Sequence, residues 1–342
     1  MISLPTHLLS APLAVAYSGG ADSTALLLLC VAQFPGQVHA VHIHHGLQAA
    51  ADDFAAHCAV FCSQLQVPLH TVHVQAKHAP GDSPEDAARR ARYSALEGQI
   101  YKLNEAIAQG NAAQAAIKTI VIAQHADDQV ETLLLALSRG AGLPGLSAMP
   151  QRWQRGGLEF VRPLLGVPSA GIRTWLAAHG LAARHVGSVD FAGTLGQGWI
   201  EDPSNTNLQF TRNRIRHTVL PALLEAFPQA QATFARSARH AAQAQALLTQ
   251  VATEDIAKIG NPPGIAALQA LSPERQANLL RYWLKTSYSV APSAAQLEEL
   301  QSQIAHCTNK GKQISIKLAS GTLLRNAHVL QYLPSPALQA PL

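Results

Sequence analysis

The sequence has few cysteines, no long apolar run and only a small excess of positive charge. Four cysteines among 342 residues are too few for a disulfide framework, which favours a chain that folds in a reducing compartment. No apolar run is long enough to cross a bilayer, and the residues after Met1 lack the basic start of a secretory signal. We therefore expect a cytoplasmic protein without membrane contact, whose 48% of hydrophobic residues can form a sizeable core.

Two chemical motifs are missing as well. The sequence contains no Cys-x-x-Cys pair, and none of its glycine-rich turns ends in the Gly-Lys-Ser/Thr of kinase-type phosphate loops. Cys58 and Cys62 are four residues apart and can share one face of a helix. We favour two buried thiols over a metal site as the explanation of this spacing.

The positive charge is small overall but unevenly distributed. A net charge of +4 permits a polyanionic partner without requiring one. Between Asn205 and Gln245, five arginines stand against the single acidic residue Glu225: Arg212, Arg214, Arg216, Arg236 and Arg239. This region is either a contact surface for phosphates or a solvated helix face, and charge alone does not choose between them.

Strand-like and helix-like segments alternate from residue 13 to about residue 150. This alternation predicts an α/β fold in which helices flank a parallel sheet. Residues 151–204 mix short strands, loops and one helix, and from about Asn213 the chain becomes mostly helical. This change predicts a first domain over 1–215 and a smaller, mostly helical domain over 216–342. The segments 313–318 and 329–333 predict a short strand pair that closes the second domain.

The turn between the first strand and the first helix is the most informative segment. This Gly-Gly turn consists of Ser18, Gly19, Gly20, Ala21, Asp22 and Ser23. Its glycines let backbone N–H groups approach an anion closely, the serines add hydroxyl donors, and the helix adds its positive end. Asp22 would repel a phosphate unless a cation lies between them, which points to Mg²⁺. An ordinary glycine turn is the alternative.

A second polar run follows the fourth predicted strand. It contains His125, Asp127, Asp128 and Glu131. On a helix, spacings of three and four residues place these carboxylates on one side. Carboxylates this close repel each other, and a cation between them, either Mg²⁺ or a substrate ammonium group, explains their placement. A solvated acidic helix start, favoured by the helix dipole, is the alternative.

These motifs resemble those of the N-type ATP pyrophosphatases and, more narrowly, of the tRNA(Ile)-lysidine synthetase family. The Gly-Gly turn is similar to the pyrophosphate-binding loop of the superfamily. The segments similar to lysidine synthetases follow family order: His42–Leu47, Ala88–Tyr93, His125–Thr132, Arg139–Leu146, Arg162–Leu165, Glu201–Asn205 and Arg212–Arg216. The sequence departs from the family pattern at Gln48, Gln124 and Ser169, and segments 98–118 and 183–198 resemble insertions.

The resemblance implies a Rossmann-like ATP pyrophosphatase domain followed by a tRNA-binding domain. Such enzymes use ATP and Mg²⁺ to join free L-lysine to the wobble cytidine of the isoleucine tRNA with a CAU anticodon. The C2 oxygen of cytidine first attacks the α-phosphate and pyrophosphate leaves; the ε-amine of lysine then attacks C2 and AMP leaves. A homodimer is also expected.

The resemblance implies a role for each motif. The Gly-Gly turn would hold the departing pyrophosphate through Mg²⁺ on Asp22, and the backbone around Ile43 would receive the adenine. Arg89 or Arg92 would pair with a phosphate or with the lysine carboxylate, unless both are ordinary surface arginines.

The acidic run would hold a cation. Asp127, Asp128 and Glu131 would bind Mg²⁺, with Asp128 as its second ligand, or the lysine amine. His125 would be the general base for that amine, or a structural histidine.

Three other functions compete with this interpretation. A tRNA thiolase of the same superfamily would carry sulfur on a cysteine pair or bind an iron–sulfur cluster, and the cysteine pattern argues against it. An amidotransferase such as a GMP synthetase would need a glutaminase partner with a nucleophilic cysteine. An RNA-binding module without chemistry would have no use for three carboxylates beside a phosphate loop.

Overall fold

The computed structural model describes residues 2–44, 51–74, 84–110, 115–186, 193, 196–307, 314–318 and 321–334. The last part of the predicted motif at His42–Leu47, its residues 45–47, lies outside the described residues, as does Gln48. Contacts divide the chain into two compact units, Met1–Arg239 and His240–Leu342. The boundary near residue 216 that the sequence predicts lies inside the first unit, and as a division of function it stays a prediction.

The first unit is built on a mostly parallel, six-stranded sheet in the order β3-β2-β1-β4-β6-β5. Its strands are β1 (Leu13–Ala16), β2 (Val38–His44), β3 (Leu69–His73), β4 (Thr119–Val121), β5 (Arg152–Arg155) and β6 (Leu158–Val161). Only β5, at one edge, runs antiparallel to its neighbour. The parallel sheet predicted from the sequence is therefore confirmed.

Helices cover both faces of this sheet. They are α1 (Ala21–Gln33), α2 (Ala51–Gln64), α3 (Pro84–Gly110), α4 (Ala126–Ser138), α5 (Leu143–Leu146) and α6 (Ser169–Ala178). Successive residues of β1 point to opposite faces, so Leu13 and Val15 pack in one core with α1, α2 and α6. Ala14 packs in the other core with α3. Much of the predicted insertion at 98–118 is the second half of α3.

The strand order brings two loops together. The chain proceeds from β1 to β2 and β3 on one side, and β4 then pairs with β1 on the other side. The loops that follow β1 and β4 therefore open side by side at the carboxyl edge of the sheet, where α/β proteins bind their ligands. These loops carry the two polar motifs found in the sequence.

A small parallel pair, β7 (Ala183–His185) and β8 (Trp199–Glu201), follows the main sheet. The chain then forms a 3₁₀ turn (Pro203–Thr206), α7 (Thr211–Arg214), a π-helical turn (Ile215–Val219), α8 (Leu220–Ala226) and the start of α9 (Ala230–Ile259). The Ile200 amide of β8 donates to the Gly19 carbonyl at 2.9 Å, which fixes β8 against the Gly-Gly turn.

The described part of the second unit continues with α9 and adds three helices and three strands. These are α10 (Ile265–Gln269), α11 (Pro273–Tyr288), α12 (Ala294–Ala305), β9 (Ser315–Leu318), β10 (Gly321–Asn326) and β11 (Val329–Pro334). Ser272 and Ser293 begin α11 and α12 by accepting hydrogen bonds from backbone amides of the first turn. The buried faces of these elements enclose one apolar core around Trp283.

The predicted strand pair at the end of the chain is incomplete. β9 and β11 do not pair with each other, because β10 lies between them in an antiparallel sheet. β10 begins with a glycine and ends with Arg325 and Asn326, which weakens the alternating apolar pattern that identifies a strand. Among the described helices, none is both long and apolar enough to cross a membrane.

Candidate functional site

The Gly-Gly turn forms a cradle at the start of α1. Gly20 precedes the first helical residue and has no side chain with which to cap the helix, so the first amides of α1 are offered to a ligand. The hydroxyl oxygens of Ser18 and Ser23 lie 3.0 Å apart, and the Ser18 amide donates to Ser23 Oγ at 3.2 Å. Free helix amides beside two hydroxyl groups suit an anion such as a phosphate.

Gly19 is the residue on which the shape of this turn depends. Its φ angle is +84°, a value that residues with a side chain rarely adopt. A methyl group at this position would also lie 3.0 Å from Cys58 Sγ. By contrast, φ at Gly20 is −76°, and a methyl group there would lie 3.5 Å from its nearest neighbour, Ser18 Oγ.

We predict that Gly19→Ala lowers the free energy of unfolding by about 2 kcal/mol, because it combines backbone strain with a close contact. The matched variant Gly20→Ala should cost less than about 1 kcal/mol, since the backbone there is already extended. Urea unfolding of both variants measures the difference. Equal losses would show that the left-handed conformation of Gly19 does not constrain the turn.

A central cavity of about 560 Å³ opens beside the Gly-Gly turn. Its walls include the ends of β2 and β4, and the predicted adenine-site residue Ile43 lies among them. Ile43, Phe54 and Ala88 give the cavity apolar lining, whereas Asp22 and Arg216 give it charged lining. A cavity of this size with both kinds of lining is suited to a nucleotide, whose base is flat and whose phosphates are charged.

His125, at the end of the loop after β4, connects the two polar motifs. Its Nε2 lies 3.5 Å from Asp22 Oδ2 and 3.5 Å from Asp128 Oδ2. Burial alone would lower the pKa of His125, but the hydrogen bond with Asp22 and the charges of Asp128, Asp22 and Asp127 raise it to about 9. In this arrangement the imidazole is suited to balance carboxylate charge, and its role as a general base stays a prediction.

The cation between Asp128 and Glu131 is an arginine of the chain itself. Arg216 Nε lies 2.7 Å from Glu131 Oε1, and its Nη2 lies 2.9 Å from Asp128 Oδ1. The Glu131 side chain is fully buried, and this burial raises its pKa while Arg216 opposes the rise. The sequence predicts a cation at this place, but it leaves open whether Arg216 belongs to a contact surface for phosphates or to a solvated helix face.

Asp127 does not share this ion pair. It accepts hydrogen bonds from the Ser169 amide at 3.4 Å and from the side chain of Gln231 at the start of α9. The prediction that all three carboxylates face one cation is therefore not met, because Asp127 turns toward α6 and α9. Gln231 carries no sequence signal that marks it as part of the site.

The candidate metal ligands differ in how well they suit Mg²⁺. Asp22 Oδ1 is buried and has no hydrogen-bond partner, so it is available to a cation. Asp128 suits a metal less well, because Arg216 contacts Oδ1 and the His125 amide donates to Oδ2 at 3.1 Å. Within the described residues, no cluster of three histidine, cysteine or acidic side chains could hold a metal. A magnesium ion on Asp22 therefore needs further ligands from water or substrate oxygens.

The two predicted arginines of α3 belong to different places. Arg92 lines the central cavity together with Ala88, one turn earlier. Arg89 lines a second cavity and lies with its guanidinium carbon 5.5 Å from the centre of the Tyr93 ring. Only Arg92 is positioned to meet a ligand in the central cavity.

The cysteines near the turn are buried thiols. Cys58 and Cys62 lie in the apolar core, and neither is part of a disulfide bond. Burial raises the pKa of Cys58 well above its ordinary value and that of Cys62 to about 12. Neither forms the thiolate that sulfur transfer requires.

Comparisons with known proteins agree with this geometry. A family model described as a PP-loop domain matches residues 6–223, and one described as the TilS substrate binding domain matches residues 264–330. A tRNA(Ile)-lysidine synthase of Polaromonas naphthalenivorans is 57% identical over 94% of this chain and 90% of its own length. That of Pseudomonas putida is 42% identical over 83% of this chain, which spans 62% of that relative.

Solved structures are more distant. The U34-tRNA thiolase NcsA from Methanococcus maripaludis, with its [4Fe-4S] cluster, is 14% identical and has a TM-score of 0.48 over 70% of this chain and 75% of that one. The sequence relatives are much closer, and the PP-loop match alone extends over more than half of the chain. The chain therefore belongs to the tRNA(Ile)-lysidine synthase family.

Proposed function

We propose that this protein joins free L-lysine to C2 of the wobble cytidine in the isoleucine tRNA with a CAU anticodon. The reaction uses ATP in two steps. The C2 oxygen of cytidine attacks the α-phosphate, and the bond to pyrophosphate breaks. The ε-amine of lysine then attacks C2, the C2–O bond to AMP breaks, and the amine loses a proton to solvent.

The Gly-Gly turn is our site for the departing pyrophosphate. Its amides and hydroxyls face the central cavity, and the unpartnered Asp22 Oδ1 is the observation that carries the proposal. A carboxylate oxygen without a partner beside an anion-binding turn is explained if a cation joins this oxygen to the phosphates. When bound on Asp22, Mg²⁺ would neutralise the charge that develops on pyrophosphate.

Asp128 and Glu131, which we call the acidic pair, are our site for the lysine ammonium group. Glu131 Oε1 is paired with Arg216, but Glu131 Oε2 is buried and has no hydrogen-bond partner. An ammonium group placed there would gain a charge-assisted hydrogen bond. Arg92, at the wall of the central cavity, is suited to the carboxylate of lysine or to a phosphate.

The RNA must present an unpaired base to the cavity. A wobble base has to leave its stack before its C2 oxygen can reach the α-phosphate, as in other enzymes that modify bases. Arg212 and Arg214 precede Arg216 on the same segment and remain our candidates for RNA phosphates, whereas Arg216 is held by the acidic pair. A homodimer stays a prediction that the mass of the particle in solution would test.

Incubation of the protein with ATP, radiolabelled lysine and the isoleucine tRNA tests the proposal. We expect label to enter RNA, and nucleoside analysis should find it on the wobble cytidine as lysidine. Labelled ornithine and a methionine tRNA are the matched controls and should give no product. Release of AMP at the full rate without lysine, or entry of sulfur instead of lysine, would contradict the proposed reaction.

A further inference from the structure

A lateral cavity of about 400 Å³ is lined by residues of α3 other than those that line the central cavity. Its lining residues are Asp86, Arg89, Arg90, Tyr93, Pro150, Trp153, Arg155 and Arg162. The lining therefore contains four arginines and one carboxylate. The cavity includes Arg162 of the Arg-Pro-Leu-Leu motif, to which the proposed reaction gives no role.

Arg162 carries a buried positive charge that no carboxylate of the described residues neutralises by an ion pair. It is only 1% exposed, and its nitrogen atoms donate to the Gln124 side chain, to the Pro150 carbonyl at 2.6 Å and to the Tyr93 hydroxyl at 3.3 Å. Its guanidinium carbon lies 3.8 Å from the centre of the Trp153 ring. Within the described part of the chain, no carboxylate lies within ion-pair distance of this guanidinium group.

This arrangement is costly in the free protein. A buried charge is stable only when it is paired or fully hydrogen-bonded, and the partners of Arg162 are all neutral. Burial accordingly lowers the pKa of Arg162 to about 10. An anion in the lateral cavity would remove this cost.

The other arginines differ in the charge that they offer. Arg155 is paired with Glu97 at 2.7 Å, so its charge is largely compensated. Arg89 is exposed, and its guanidinium carbon lies 5.5 Å from the centre of the Tyr93 ring. The lateral cavity therefore combines the exposed Arg89 with the buried Arg162.

The two cavities are directly connected through side chains. Gln124 lines the central cavity and accepts a hydrogen bond from Arg162 of the lateral cavity. On α3, Ala88 and Arg92 line the first cavity, while Arg89 and Tyr93 line the second. A polymer whose reacting unit enters the central cavity would carry its adjoining units past the lateral cavity.

We propose that the lateral cavity binds a backbone phosphate of the RNA substrate, close to the nucleotide that reacts. This inference rests on the proposed function, because it takes RNA to be the substrate. Arginine pairs with phosphate through charge-assisted hydrogen bonds, and such contacts position the nucleic acid without reading its sequence. The ATP phosphates are already assigned to the Gly-Gly turn in the proposed function. The anion that remains for the lateral cavity is therefore a phosphate of the RNA backbone.

Equilibrium binding of an anticodon stem–loop hairpin, measured without ATP or lysine, tests the proposal. We expect Arg89→Ala to weaken hairpin binding about tenfold and to reduce the slope of log Kd against log salt by about one. Arg152→Ala is the matched control, because Arg152 is an exposed arginine of the neighbouring strand β5 that pairs with Glu159 and does not line the cavity. Its hairpin affinity should stay at the wild-type value.

A scan of hairpins with one neutral methylphosphonate linkage each locates the contact. One linkage beside the wobble nucleotide should weaken binding to the wild-type protein and have no effect on Arg89→Ala. Normal hairpin binding by Arg89→Ala would overturn the proposal. A raised KM for lysine or ATP with unchanged hairpin affinity would overturn it too, since the cavity would then hold a small anion.

The test of the lateral cavity can be distinguished from the test of the proposed reaction. Binding does not require the reaction, so an RNA contact at Arg89 can be found even if no lysidine forms. The reverse case is also distinguishable. If lysidine forms, but Arg89→Ala binds the hairpin normally and no methylphosphonate linkage weakens binding, the proposed reaction stands and only the lateral site is disproved.

Discussion

Asp22→Asn is expected to lower the rate of lysidine formation by at least about 100-fold. The substitution keeps the size of the side chain but removes the charge that would hold a cation against the phosphates. Asp22 Oδ1 makes no hydrogen bond within the described residues, and His125 keeps Asp128 as a carboxylate partner when Asp22 becomes an amide, so the fold should lose little. The rate is measured as labelled lysine incorporated into RNA under single-turnover conditions.

Two further measurements make the Asp22 result specific. In the wild-type protein, Mg²⁺ should strengthen ATP binding, and in Asp22→Asn this dependence should largely disappear. Asp53→Asn is the control, because Asp53 is an exposed carboxylate at the start of α2. A variant at Asp22 that retains both the wild-type rate and the Mg²⁺ dependence would show that this carboxylate does not hold the cation.

Arg216→Ala should lower the free energy of unfolding by about 3 kcal/mol. The loss follows from Glu131, which is fully buried and loses its direct hydrogen-bond donor, Arg216 Nε at 2.7 Å. Arg212 compensates only in part, since its Nη1 lies 3.9 Å from Glu131 Oε2. Urea unfolding of the whole chain measures the effect.

A double variant separates a lost ion pair from a general packing defect. Arg216→Ala combined with Glu131→Gln should recover most of the lost stability, because no buried charge then remains unpaired. Arg214→Ala is the matched control, since this exposed arginine donates mainly to backbone carbonyls of its own segment. If the double variant is as unstable as Arg216→Ala alone, the account of the acidic pair is wrong.

Local patterns were sufficient to predict the main elements of the first unit. The helix that carries the acidic run extends from Ala126 to Ser138, and the sequence marks both of its ends: polar residues stand at its start, and Gly140 follows its end. The Gly-Gly turn was predicted for the same reason. Its glycines stand between an apolar strand and a leucine-rich helix, and the positive φ of Gly19 shows why one of them is needed.

The pairing of charges could not be predicted in the same way. Spacing placed Asp127, Asp128 and Glu131 on one helix but did not show which of them would face a cation. That choice depends on Arg216, which is 85 residues from Glu131 in sequence and reaches it only after the chain has folded. The contact between His125 and Asp22 likewise depends on the order of the strands.

Positions on one helix were also hard to assign to cavities. Arg89 and Arg92 are three residues apart, a spacing that puts them on neighbouring parts of the helix surface. Only the packing of α3 against the main sheet shows that they line different cavities. The structure therefore separates the two candidates, and the role of each stays a prediction.

The structure of the protein with Mg²⁺ and a non-hydrolysable ATP analogue tests the central claim most directly. We predict that the β- and γ-phosphates lie on the amides of Gly20, Ala21 and Asp22, with the adenine against Ile43 and a metal ion on Asp22. A triphosphate bound elsewhere, with the Gly-Gly turn empty, would contradict the account.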